Sequence, residues 1–413
     1  MNLRKEDIIT LRTLAERMMN DALSDKNHEK RELWRSLNQM HMQKPMISIE
    51  QMPWDELDVD GSLVCTVENK VFRRIEWNLR TDLYKWEHMP ADMVLNPYIL
   101  LPRPISNTGY GLSTVYKEVP GAGPAQSHLF ADQFSEMEDV EKIQTPVITV
   151  DYAAETEILE TAHRVFDGIA PVKWEGLMLH SGLWDKITFW KGVENCYFDL
   201  LDRPELLHAI MERLTEAVLS EIEQYNHLGI YDIHSNMCHC SYTFDDRLPS
   251  EACDREHPTT FDGWTYSMAQ LFTSVSPQIN EEFEVPYISR IFEKFGAAYY
   301  GCCERLDDRL DVVTKLPNIR KISCSPWSDR ERFAAELPKQ YIMSNKPNPA
   351  FLAEDTLDEE LVRADLRRTI AAAKAHGLGL EFLLKDISTV RHDPTRLWRW
   401  AEIAEEESIR AEG

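Results

Sequence analysis

Three short strand-like runs between Phe295 and Pro349 each end in residues capable of chemistry. Ala297-Ala298-Tyr299-Tyr300 leads into Gly301-Cys302-Cys303-Glu304. Ile319-Arg320-Lys321-Ile322-Ser323 leads into Cys324-Ser325-Pro326. Gln340-Tyr341-Ile342-Met343 leads into Ser344-Asn345-Lys346-Pro347. A fourth apolar run, Leu378 to Leu384, ends in Lys385-Asp386. A thiolate is a soft nucleophile, and a carboxyl or ammonium at a strand end can protonate or polarise a leaving oxygen. Glu304, Lys385 and Asp386 are therefore the candidate catalytic residues. Each feature also has a plainer reading: Cys is among the most buried residue types, and Lys385-Asp386 could be an ion pair closing the fold.

Helix-like segments separate these runs in a β-α-β-α-β rhythm. In a parallel sheet or (β/α)8 barrel the strand carboxyl ends share one face, which is where chemistry collects. The rest of the chain fits one such TIM-type α/β barrel, over 51–413, with an N-terminal helical extension over 1–50. Apolar spacing predicts helices over 5–24, 27–41, 66–87, 153–167, 203–227, 265–274, 279–295, 358–376 and 394–412. Pro204 and Gly229 bracket the helix 203–227. Strands are expected at 45–49, 93–101, 172–180 and 230–234. Residues 103–130 read as a long loop or irregular hairpin over the barrel mouth, and 235–264 as a second long polar loop. His180, His234 and Asn236 follow two of these strands, and with Tyr300 and Asn345 they are the candidate substrate contacts. Cys238-His239-Cys240 has the look of a metal-binding tripeptide or of a loop with coincidental thiols.

Charge narrows the partners. Seventy acidic against 45 basic side chains give a net charge of −25. Such a surface repels phosphate backbones and anionic lipid, so neither nucleic acid nor a membrane is an expected partner. The charged start Met1 to Asp7 has no apolar stretch behind it, and the eight cysteines follow no regular framework. Both features set the expectation of a cytoplasmic protein with free thiols.

Several local patterns, in order, resemble the uroporphyrinogen decarboxylase superfamily. Asp139-Val140-Glu141-Lys142-Ile143-Gln144-Thr145-Pro146 is similar to its D-[LV]-E-K-[LI]-x-x-P segment. Asp202-Arg203-Pro204-Glu205-Leu206 is similar to D-x-P-E-L, and Ser276-Pro277 through Pro286-Tyr287 to S-P-x-x-F-x-E-F-x-x-P-Y. Tyr300 to Glu304 stands where that superfamily has H-x-C-G-[ND], and Ser344 to Pro349 where it has x-G-N-[LV]-D-P. The resemblance covers roughly 135–405 and implies a distorted (β/α)8 barrel. Departures point away from decarboxylation. The R-Q-A-G-R-Y segment whose arginines clamp substrate carboxylates is missing, and Leu384 to Val390 replaces G-H-G.

The superfamily's other chemistry is methyl transfer to or from a corrinoid. The resemblance thus implies a methyltransferase acting between a small methylated compound, such as a methoxy-aromatic undergoing O-demethylation, and cobalamin. The chain lacks the corrinoid-binding D-x-H-x-x-G motif, so the corrinoid would ride on a partner protein. A homodimer is also among the expected assemblies. Members that activate thiols use zinc held by His-x-Cys and a later Cys. Here Cys302 matches the first Cys, Tyr300 replaces the His, and no Cys lies on the final strand. Cys324 is the leading substitute for the later ligand, with His239 and Cys303 behind it. A decarboxylase-like lyase and a non-catalytic ligand-binding barrel remain the alternatives.

Overall fold

The computed structural model describes residues 1–119 and 127–411. Its strands are β1 (Met46–Ile49), β2 (Ile99–Pro102), β3 (Ile105–Asn107), β4 (Tyr116–Val119), β5 (Ser127–Phe130), β6 (Ile148–Val150) and β7 (Val172–Glu175). They continue with β8 (Met237–Cys238), β9 (Ser241–Tyr242), β10 (Trp264–Ser267), β11 (Ala297–Tyr300), β12 (Ile319–Cys324), β13 (Ile342–Asn345) and β14 (Gly379–Leu384). Six of them form one curled parallel sheet in the order β1-β14-β13-β12-β11-β10. β1, from the N-terminal segment, is thus an edge strand of the main sheet, paired Met46 to Glu381 and Ile49 to Leu384.

The expected closed eight-stranded barrel is present only in part. Beyond β10 the sheet continues through single parallel bridges, His180 to Tyr266 and Leu177 to Tyr231, and then the β2–β7 pair. Among the described residues no strand ladder joins β2 back to β1. The expected strand at 230–234 is reduced to the bridge at Tyr231. The cause is Asp232, whose carboxylate accepts the backbone N–H groups of Gly176, His234 and Ser235 and turns the chain aside.

Helices cover the convex side. Gly229 and Gly377 end two of them, Pro204–Leu228 and Glu359–His376, in the left-handed conformation that costs glycine nothing. A second core under the N-terminal helices joins Leu11, Leu14, Phe72, Ile75, Ile158 and Phe166. The predicted helix 265–274 is instead β10 followed by a single 3-10 turn, Gln270–Ser274. Trp264-Thr265-Tyr266 is aromatic and β-branched, the composition that suits a pleated surface. The segment 103–130 contains the β4–β5 hairpin, and its residues 120–126 lie outside the described residues. No described helix is long and apolar enough to cross a membrane.

The concave side is filled by chain. β8 and β9 pair antiparallel, Met237 to Tyr242 and Cys238 to Ser241, with only His239 and Cys240 between them. Both tip residues have positive φ, 48° and 69°, as a type I′ turn demands. Neither is the Asn or Gly such a turn favours, so surrounding contacts must hold the strain. They do: Cys238 Sγ lies 3.4 Å from the Thr265 carbonyl, Ser241 Oγ donates to Glu381 at 2.8 Å, and Lys321 Nζ donates to the Tyr242 carbonyl at 3.0 Å. The start of the segment expected as a polar loop, residues 237–242, is therefore an internal hairpin, and the loop proper begins after Tyr242.

Candidate active site

Side chains alternate across each strand, so parity decides which residues reach the concave side. Tyr299, Lys321, Ser344, Glu381 and Leu383 point inward. Tyr299 Oη lies 2.7 Å from Ser344 Oγ, Lys321 pairs with Glu381, and Leu383 packs on Tyr299 and Cys238. Their neighbours Tyr300, Ile322, Cys324 and Leu384 belong to the apolar layer under the helices.

This parity corrects three expectations. Tyr300 is no substrate contact: it is buried against the helices, with its hydroxyl near Glu284. Asn345 faces the same way, donating to the Cys324 carbonyl. Cys324 is fully buried there, its thiol pushed up to about 12 by burial, and it is not part of the group formed by Cys302. Glu284 itself is fully buried with one oxygen unpartnered, and burial holds its carboxyl well above the usual range. Because the folded state keeps the proton that the unfolded state loses, its contribution to stability falls as pH rises above the unfolded value. Glu284→Gln should therefore shift Tm by less than about 2 °C at pH 6 and gain on wild type as pH rises. A loss of Tm at alkaline pH, read by thermal denaturation across pH, would mean the carboxyl is ionised.

Inward residues at the strand carboxyl ends do converge. Cys302 Sγ lies 3.7 Å from Cys303 Sγ and 3.5 Å from Lys385 Nζ. Asp386 Oδ2 lies 3.5 Å from the same ammonium and 3.8 Å from Cys303 Sγ. Lys346, two residues beyond inward-facing Ser344, donates to the Cys302 carbonyl at 2.9 Å and lies 3.4 Å from His239 Nε2. The hairpin tip therefore carries His239 to the floor of this cluster. Its ring packs 4.9 Å from Tyr266, whose other neighbour is the stacked ring of His180 at 4.7 Å.

The electrostatics follow from these contacts. The Cys303 thiol donating to Cys302 holds Cys302 well below the usual thiol range, helped by Lys346 and His239 against the effect of burial; Cys303 is raised in turn. Burial and Lys346 push Lys385 down, yet Cys302, Cys240 and Asp386 keep it above its ordinary value. Burial lowers His180 to about 4 and His239 to about 3, so both rings are neutral near pH 7. Asp185, 3.9 Å from His180, is pushed up to about 6 by burial.

Glu304 is placed differently from a mouth-facing acid. Its two oxygens accept the backbone N–H groups of Cys302 and Ala269 at 2.8 and 3.1 Å. Burial, then the Cys302 charge, raises it to about 7. It fixes the turn that presents Cys302. His234 and Asn236 lie apart from the cluster. His234 Nδ1 is 3.2 Å from the Trp174 carbonyl, and Asn236 donates to Asn96 and Tyr98 beside a cavity of about 450 Å³. Lys346, Tyr266 and Asp185 join this group in the structure without having been singled out from the sequence.

Cys302, Cys303 and Asp386 offer ligand atoms all within 4.8 Å of one another, a donor set suited to zinc. Two lysine ammoniums in the same group oppose a divalent cation, so zinc does not fit the residues as they stand. No protein-family model and no curated protein matches the chain. Among solved structures, a methyltransferase from Methanosarcina mazei is similar over 91% of this chain and 97% of its own, with 11% identity and a TM-score of 0.49.

Proposed function

We propose that the chain is a methyltransferase moving a methyl group between a small methylated compound and a corrinoid carried by a partner protein. The observation that supports this reading is the Lys385–Cys302–Lys346 cluster at the strand carboxyl ends, with Asp185 nearby. Removing a methyl group from an ether, thioether or amine leaves charge on the heteroatom, and that charge sets the barrier. Lys385 has ammonium protons directed among Cys302 and Asp386, and Asp185 keeps a proton up to about pH 6. Lys385 would meet the heteroatom as charge develops, and Asp185 would deliver the proton that neutralises it. Tyr266 and His180 offer a stacked aromatic wall for a planar substrate. The partner's corrinoid, when docked, supplies the nucleophile that takes the methyl group. Half-exposed Cys303 and exposed Asp386 mark the open side of the cluster where it would approach.

The test is methyl transfer to reduced cobalamin from methoxy-aromatics, methyl thioethers and methylamines, followed by the absorbance change on methylcobalamin formation. At least one donor class should react, and uroporphyrinogen should give no coproporphyrinogen because the arginine clamp is missing. Failure of every donor, together with no transfer from methylcobalamin to thiols, would defeat the proposal.

A further inference from the structure

Cys302, Cys303 and Asp386 offer ligand atoms to a soft divalent cation, and an ammonium already lies against two of them. Lys385 Nζ is 3.5 Å from Cys302 Sγ and 3.5 Å from Asp386 Oδ2, on a side chain only 4% exposed. β14 delivers it by parity: Glu381 and Leu383 point inward, and Lys385 is the next inward residue. Lys346, equally buried, places a second ammonium on the Cys302 carbonyl at 2.9 Å. One thiolate and one carboxylate are thus matched by two ammoniums. An added divalent ion would face the Lys385 ammonium at contact range, with the Lys346 charge behind the Cys302 backbone, where the screening by water is weak.

We propose that Lys385 occupies the metal position of this site, so that the working group is a thiolate–ammonium pair and not a metal thiolate. The ligand atoms remain competent; the ammonium excludes the ion. The assignment is one of charge balance and holds whatever group the enzyme transfers.

Removing the ammonium should then create a zinc site. Full-length protein purified without chelator should hold far less than one zinc per chain by elemental analysis. Zinc titrated in competition with a chelating dye should bind Lys385→Met at least about a hundredfold more tightly than wild type. Lys385→Gln, checked for folding by circular dichroism, serves as the second variant. The gain should vanish when Cys303→Ser is added. A role for Lys385 in orienting a bound metal predicts the reverse order. Close to one zinc on the wild-type chain, removed by Cys302→Ala, would overturn the assignment. So would folded Lys385→Met and Lys385→Gln proteins that bind zinc no better than wild type.

Discussion

Lys385→Met lowers the rate of methyl transfer at least about a hundredfold, while the protein keeps its fold. The magnitude follows from what the ammonium faces. Removing one preorganised charge or donor from a water-poor site typically costs about 10²–10³ in rate, because nothing reorganises to replace it. Lys385 sits 3.5 Å from Cys302 Sγ and is almost wholly buried, so water cannot stand in for it. Met retains the length and packing of the stem, and removing a buried charge spares its desolvation cost, so Tm should move little. Rates are measured as methylcobalamin formation with chelator present, so that zinc taken up by the variant cannot contribute. Asp386→Asn should cost far less, because Asp386 is exposed and only borders the ammonium. Full activity in a folded Lys385→Met protein would end the catalytic role, and a variant that loses its fold while Lys385→Gln stays folded and active would make Lys385 an ion-pair partner holding β14 to its neighbours.

How far the site could be read in the sequence depended on parity. The strand positions near 297, 319, 342 and 379 were legible because short apolar runs alternate there with the helical segments Leu310–Val313, Arg330–Glu336 and Glu359–His376. Which residues of those strands face inward was not. Strands buried on both faces carry apolar residues on both, so Ala297 to Tyr300 or Ile342 to Asn345 shows no alternation to read. A shift of one residue exchanges the faces, and this separates Tyr299 from Tyr300 and Lys346 from Asn345. Cys302 and Lys385 were accessible because they follow the strands directly. The internal hairpin was hidden for a different reason. Its two-residue turn is His239-Cys240, without the Asn-Gly signature, and only contacts from distant strands hold that strained conformation. Cys238-His239-Cys240 was a visible signal, but its place inside the sheet is a tertiary fact.

That hairpin stands on one buried ion pair, and breaking the pair from one side should be the most destabilising substitution on the concave side. Lys321 and Glu381, both fully buried, approach to 2.7 Å. Lys321 also donates to Ser241 Oγ at 2.5 Å and to the Tyr242 carbonyl at 3.0 Å, while Glu381 accepts from Ser241. Burial pulls Lys321 below its ordinary value, as expected of an ammonium that water cannot reach. One oxygen of Glu381 has no partner at all, so the pair is only partly satisfied even when intact. Lys321→Met leaves that carboxylate charged in an apolar cluster and should cost about 3–5 kcal/mol. Replacing both partners, Lys321→Met with Glu381→Leu, removes the stranded charge and should recover most of the loss. Urea denaturation of the two single variants and the double variant measures the coupling directly. The hairpin ties to Ser241 and Tyr242 are not restored in the double variant, so His239 should lose its fixed place under Cys302, and activity should stay low although stability returns. That split separates a pair that merely holds the fold from one that positions the hairpin tip. A single-variant cost below about 1 kcal/mol, or a double variant as unstable as the two losses added, would show that the pair does neither.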